Sequence, residues 1–176
     1  MLLDPGCGLY TKDTFSDKRY TILNYKSSYH NTLSFNGLDQ LPGSDKRAEK
    51  LYYNEENGEL AMELKSADPK EAGLLSFVRS ARLDGSAVRI VDKVELVEES
   101  DVRWHFVTRY EPTSIAPGKV GLPHGMTLEF DPSLEVKIES VEMPSISPER
   151  TWGVPYLWRV TLLARTNMGS FEITIK

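Results

Sequence analysis

The sequence predicts an all-β fold, an antiparallel β-sandwich of two stacked sheets with about ten short strands and little or no helix. Three observations carry that prediction. Apolar and polar residues alternate at period two along several runs, as on a strand with one buried face. Turn signals such as Asn36-Gly37, Asp84-Gly85 and Asp131-Pro132 separate those runs. No segment longer than a turn or two has the period of an amphipathic helix.

Each element follows from local chemistry. Leu2-Leu3 reads as the tail of a strand that Asp4-Pro5-Gly6 breaks, which predicts a natural protein continuing upstream of Met1. Gly8 to Asp17 is polar and irregular, and Arg19 to Tyr25 reads as a short strand. From Tyr29 to Asn36 a strand is expected. It would place Leu33 and Phe35 on an apolar face and His30, Thr32, Ser34 and Asn36 on a polar one. Asn36-Gly37 closes it, since both residues tolerate positive φ. Residues 41–58 are charged and turn-rich, with Ser44 as the cap of a short helix through Tyr53. Leu60, Met62 and Leu64 then alternate with Ala61, Glu63 and Lys65. Ala67-Asp68-Pro69 turns the chain into a strand over Leu74–Leu83, ended by Asp84-Gly85.

The clearest alternation comes next. Val88, Ile90, Val94 and Leu96 interleave with Arg89, Lys93 and Glu95, and Trp104, Phe106, Thr108 and Tyr110 interleave with His105, Val107 and Arg109. The polar Glu98-Glu99-Ser100-Asp101 between them suits a hairpin connection. Pro112 to Pro123 reads as a Pro/Gly-rich loop. Strands are expected over Gly125–Phe130, Glu135–Val141, Leu157–Ala164 and Ser170–Ile175, with Asn167-Met168-Gly169 as a turn. There is no internal repeat, low-complexity tract or linker, so residues 1–176 read as a single sandwich domain.

Composition bounds the function. The chain has 176 residues, enough for one domain with a sizeable core. Hydrophobic residues make up 40% and charged residues 27%, ordinary for a globular protein. A net charge of −5 without a basic stripe argues against a nucleic-acid surface. No apolar run approaches the ~18 residues of a membrane span. Met1-Leu2-Leu3 runs directly into Asp4-Pro5-Gly6, which is no signal-peptide pattern. Cys7 is the only cysteine, so it reads as an idle thiol and leaves the redox compartment open.

Leu3-Asp4-Pro5-Gly6, the aromatic Tyr10, Arg19-Tyr20, His30-Asn31-Thr32, Asn36-Gly37 and Gln40 stand in an order that resembles the heparinase II/III family of polysaccharide lyases. The Leu74–Leu83 strand with Arg79, the strand around Asp92, the Trp104 strand and Trp158-Arg159-Val160-Thr161-Leu162 continue it. The resemblance spans nearly the whole chain, but only the C-terminal, all-β part of the family's architecture. It implies a larger parent protein with an N-terminal toroid of α-helices, an acidic uronate-containing polysaccharide as substrate, and a bacterial, periplasmic or secreted setting. The implied chemistry is β-elimination: a base takes the proton next to the uronate carboxyl and the glycosidic oxygen leaves. The family's tyrosine and carboxylate-neutralising residue sit on the toroid, and its histidine in a His-x-His-x-Asp stretch before the Asp-Pro-Gly strand. No catalytic residue is therefore expected in this chain.

The resemblance also implies part of a zinc site, with Asp4 and His30 as two of its ligands; zinc accepts carboxylate oxygen and imidazole nitrogen. Each residue has a plainer reading. An Asp before Pro-Gly is a turn former, and a lone strand histidine is surface or hydrogen-bonded. Asn31 and Gln40 would orient His30 or substrate, or else cap turn backbone. Arg79, Arg82 and Arg109 would bind acidic sugar through forked hydrogen bonds, or else pair across strands. Tyr10, Tyr20, Tyr25 and Tyr29 would stack on sugar rings, or pack into a core or domain interface. His105 reads as solvated or hydrogen-bonded, and His124 as a loop residue without a partner suggested by spacing. Two functions remain: the sandwich part of a polysaccharide lyase, or a non-catalytic carbohydrate-binding or interaction module.

Overall fold

A computed structural model describes residues 2–6, 8–143 and 148–176; Cys7 lies outside them. The chain forms ten antiparallel strands: β1 Leu33–Phe35, β2 Glu49–Asn54, β3 Glu59–Glu63, β4 Leu74–Asp84, β5 Ala87–Thr108, β6 Thr113–Ala116, β7 Lys119–Gly121, β8 Thr127–Glu129, β9 Glu135–Val141 and β10 Leu157–Ile175. Among the described residues, helix is confined to short 3₁₀ stretches of three to five residues and one short α-turn, Pro148–Trp152.

The strands join one continuous sheet, ordered β2-β3-β4-β5-β10-β8-β7-β6, with β1 added on β5 and β9 on β10. The sandwich arises because that sheet doubles over on itself. β5 pairs with β4 through residues 87–96 and with β1 through residues 102–104. β10 follows it along both halves. Between Ser100 and Glu95 β5 advances five residues, while β10 advances two, from Thr166 to Met168. β5 therefore takes the outside of the bend and β10 the inside. The irregular step in β10 also switches its inward residues from Val160 and Leu162 to Phe171 and Ile173, so both halves face the same core.

Several expectations need correction here. Glu98-Glu99-Ser100-Asp101 is the bend of a continuous strand, not a hairpin. It has no Gly or Asn for a tight reversal, so the polar run curves the strand outward instead. Asn167-Met168-Gly169 is likewise a bulge inside β10. The helix expected from Ser44 to Tyr53 is β2, because tyrosines and a partner strand outweigh a single cap. Arg19 to Tyr25 forms 3₁₀ turns, and the strand expected over Tyr29–Asn36 shrinks to β1, leaving His30 on a loop. The Pro112–Pro123 loop contains β6 and β7.

The main core lies between the folded halves. Leu33 and Phe35 face Phe77 from β4, Val94 and Leu96 from β5, and Ile173 from β10. Phe35 meets Phe77 edge-on at 5.7 Å, and Trp104 meets Phe171 at 4.7 Å. At its centre is a buried charge. Asp92 is wholly buried; it receives Arg79 through Nε at 2.7 Å and Nη2 at 2.8 Å, and Trp104 Nε1–H at 2.9 Å. Arg79 thus takes the cross-strand pairing, opposite Asp92 in register. A second, smaller core forms on the outer face of β5, β9 and β10. There Leu3, Val107, Val141, Met143 and Leu157 pack under the N-terminal segment.

Asp92 holds Arg79 and Trp104 at once, so Asp92→Ala leaves a part-buried guanidinium without its counter-ion and a buried indole N–H unpaired. The expected loss is about 3–5 kcal/mol, read from the urea midpoint. Trp104→Phe keeps the ion pair and should cost less, about 1–3 kcal/mol for the lost bond and volume.

Candidate functional site

The candidate site is built by the first forty residues as they cross the outer face of β5. Leu3 N–H donates to Val107 O at 2.9 Å, fixing the chain before it turns. Asp4 Oδ1 then accepts the Gly6 N–H at 2.8 Å, and Gly6 has φ +77°, open to residues without a Cβ. The turn aims Asp4 Oδ2 at His30 Nδ1, 2.7 Å away. Residues 26 positions apart are thereby joined. The other ring nitrogen, Nε2, lies 3.0 Å from Asn24 O. A carbonyl only accepts, so Nε2 carries a hydrogen there, and the Asp4 contact needs a second proton between Nδ1 and Oδ2. Partial burial works to raise the Asp4 carboxyl. Hydrogen bonds from His30 and the Gly6 N–H, with the His30 charge, outweigh it and hold the group below its ordinary range.

Two asparagines hold this arrangement. Asn24 is 2% exposed and donates to Gly6 O at 3.0 Å. Asn31 donates to Leu3 O and accepts the Val107 N–H, each at 2.9 Å. Asn31 therefore serves backbone at both ends of its amide. Gln40 lines an open pocket of about 390 Å³ with Tyr20, Tyr25, Ser27, His30 and Thr32. Arg19 lies over the Tyr25 ring at 4.7 Å. Of the predicted residues, Asp4, His30 and Asn31 converge here and Gln40 lines the pocket, whereas Arg79 pairs with Asp92 inside the sandwich and touches this segment only through Nη1, which donates to Asn31 O at 3.4 Å.

Sequence reading missed the residues that anchor the segment from below. Asp39 accepts the Ser28 N–H at 2.9 Å and Ser27 Oγ–H at 3.2 Å. Arg159 donates to Ser28 O at 2.8 Å and to Glu139 Oε1 at 2.6 Å, and lies 4.4 Å from the Tyr29 ring centre. The only available signal was an arginine on the polar phase of the Leu157–Ala164 run. Next to Arg159 is a groove of about 310 Å³ with His105 at its floor. His105 is 4% exposed and hydrogen-bonded, Nε2 to Ser34 Oγ at 2.8 Å and Nδ1 to Thr161 Oγ1 at 3.3 Å. Burial, then the charges of Arg159 and Arg103, push its pKa down to about 4. His124 is a loop residue at φ +65° that meets the Tyr110 ring.

Zinc tests the Asp4–His30 pair on its own chemistry. The pair offers carboxylate oxygen and imidazole nitrogen, the donors zinc takes. Both are spent on each other, and the second ring nitrogen is spent on Asn24 O. Among the described residues no group of three His, Cys, Asp or Glu side chains is placed to hold a metal ion. The described residues do not complete a zinc site.

No protein-family model matches the chain, and no curated protein matches its sequence. Solved structures do. A heparinase III gene product with methylated lysines matches with a TM-score of 0.69 and 19% identity, over 99% of this chain. The heparan sulfate lyase HepC from Pedobacter heparinus matches with a TM-score of 0.70 and 12% identity, over 98%. A crystal structure of heparinase III matches with a TM-score of 0.63 and 14% identity, over 99%. The chain has the fold found in those structures and spans 27% of the length of each.

The His105 environment sets a pH dependence. Its folded pKa lies near 4, below the ordinary 6.5, so the unfolded chain binds the extra proton first. The stability it contributes is complete above pH 6.5 and is lost as pH falls toward 4. The stability difference between wild type and His105→Gln should shrink by about 3 kcal/mol over that range, read from paired urea melts.

Proposed function

We propose that the chain is the β-sandwich part of a heparinase II/III-type polysaccharide lyase, which acts on uronate-containing polysaccharide of the glycosaminoglycan or alginate type by β-elimination. The observation that carries this reading is the Asp4–His30 contact at 2.7 Å, which joins the two motifs on which the sequence resemblance rests. The fold shared with lyases of that type supports it. The sandwich supplies one wall of the cleft. Asp4 and Asn24 O fix the His30 ring, Asn24 and Asn31 lock the backbone that carries both motifs, and Tyr20 and Tyr25 offer ring faces beside His30. Base, acid and carboxylate-neutralising groups belong, on this reading, to a companion α-helical domain.

The N-terminal segment gives that companion a surface. Tyr10 and Phe15 stack at 5.6 Å yet are 70% and 78% exposed, and Leu9 and Tyr20 lie open near them. Exposed apolar patches of this kind mark interaction surfaces. Zinc, on the same reading, is held in the longer protein with Asp4 and His30 among its ligands, and the protein works in the periplasm or outside the cell.

The complete reading frame tests the assignment first: it should encode a helical domain ending in a His-x-His-x-Asp stretch ahead of Asp4, and a frame without one overturns the lyase reading. The isolated chain should release no unsaturated uronate from heparan sulfate or alginate, followed by ultraviolet absorbance; release would overturn the division of labour. Zinc titrated into the isolated chain should bind only in the high-micromolar range or weaker, as two donors allow. Saturable glycan binding that His30→Ala abolishes, without any helical partner, would instead identify a stand-alone carbohydrate-binding module.

A further inference from the structure

Two asparagines in the chain precede a glycine, Asn36-Gly37 and Asn57-Gly58. A glycine has no side chain to shield its backbone nitrogen. That nitrogen can attack the asparagine Cγ and close a five-membered ring, an intramolecular step that geometry promotes or prevents. The other four asparagines, Asn24, Asn31, Asn54 and Asn167, precede Tyr25, Thr32, Glu55 and Met168, whose side chains crowd the approach. Both Asn-Gly pairs are exposed, so exposure does not separate them. Hydrogen bonding does.

Asn36 is clamped to β5. Its N–H donates to Asp101 O at 2.8 Å, its Oδ1 accepts the Asp101 N–H at 3.1 Å, and its Nδ2 donates to Ser100 Oγ at 3.2 Å. Both ends of the amide are thus tied to residues far along the chain. Arg103 Nη1 stands 3.2 Å from where a Cβ on Gly37 would lie, so that glycine is covered too. Swinging Cγ onto the Gly37 nitrogen would break both side-chain bonds.

Asn57 is placed differently. It lies in the turn between β2 and β3, and its Oδ1 accepts the Glu59 N–H at 3.0 Å, two residues on. That bond moves with the turn. Among the described hydrogen bonds, none ties the Asn57 amide to another strand. Nothing lies within 4 Å of the Cβ position on Gly58. As a ring closes, negative charge develops on Oδ1, and a backbone N–H aimed at it stabilises that charge. Asn36 accepts a similar bond but is not free to swing.

We propose that Asn57 is a self-modification site, where the chain converts its own amide to a carboxylate with water as co-reactant, and that the β5 clamp spares Asn36. The Gly58 nitrogen bonds to Asn57 Cγ and gives up its proton. The Cγ–Nδ2 bond breaks, and the amide nitrogen leaves as ammonia with that proton. Water then opens the succinimide at either carbonyl. One product is aspartate; the other is isoaspartate, with the main chain routed through Cγ. The sequence is redox-neutral. Either product adds a negative charge beside Glu55, Glu56 and Glu59. Isoaspartate also lengthens by one methylene the turn that sets the Tyr53–Leu60 and Asn54–Glu59 pairs. Since β2 is an edge strand, the change stays at the rim of the sheet.

The folded 176-residue chain, aged at mildly alkaline pH and digested, tests this by peptide mass spectrometry. The Asn57 peptide should gain the mass of an amide-to-acid exchange and split into two chromatographic forms, about tenfold faster than the Asn36 peptide converts. In guanidinium chloride, where the clamp is gone, the two should convert at similar rates. Asn57→Gln, which would need a larger ring, should leave this turn unmodified. An Asn57 that stays intact in the folded chain overturns the proposal. So does an Asn36 that converts as fast as Asn57 there, or a rate difference that persists in denaturant. The lyase reading enters none of these outcomes.

Discussion

The buried Asp92 carboxylate is the interaction on which the architecture depends. Asp92 and Trp104 belong to the same strand, twelve residues apart, yet their side chains meet at 2.9 Å. Twelve residues of extended chain span roughly 40 Å, so the contact exists only because β5 doubles back. The same carboxylate holds the Arg79 fork from β4. One anion thus ties its cross-strand neighbour on β4 to an indole from the far half of β5. Such a cluster is weak evidence of net stability, since desolvation offsets much of the attraction. Its contribution is register: slipping β4 against β5 by one residue turns Arg79 outward and leaves Asp92 buried without its partner.

Much of this was legible in the sequence and some was not, for physical reasons. Period-two alternation in Val88–Leu96 and Trp104–Thr108 revealed the strands, because each buries one face. It did not reveal that they are one strand. A polar run looks the same in one dimension whether the chain reverses or merely bends, and only pairing with β10 distinguishes them. The run at Asn167-Met168-Gly169 misled for the same reason. The N-terminal forty residues were least legible, because their order comes from side chains bonding distant backbone rather than from local propensity. Asn31 reaches Leu3 and Val107, and Asn24 reaches Gly6. The Asp4–His30 juxtaposition came from the order of motifs, not from spacing, and Arg159 signalled itself only by its place on the polar phase of its run.

The two polar sites differ in kind. Around His30 every donor and acceptor named above has a protein partner, so the pocket is a braced wall beside which something else acts. Around Asp68 burial raises the carboxyl against the Gln40 side chain, and Lys50 is held at φ +48°. Satisfied networks rigidify.

The doubled sheet also limits how the molecule can move. β5 and β10 run uninterrupted through both halves, so the halves share covalent backbone along two parallel tracks. Sliding one over the other, the shear motion open to separately built layers, would have to stretch both tracks together. The N-terminal segment lies across the sheet and is tied to it by the Leu3–Val107 backbone bond and by the side chains of Asn31 and Arg159. The doubled sheet is the rigid base against which that segment is braced.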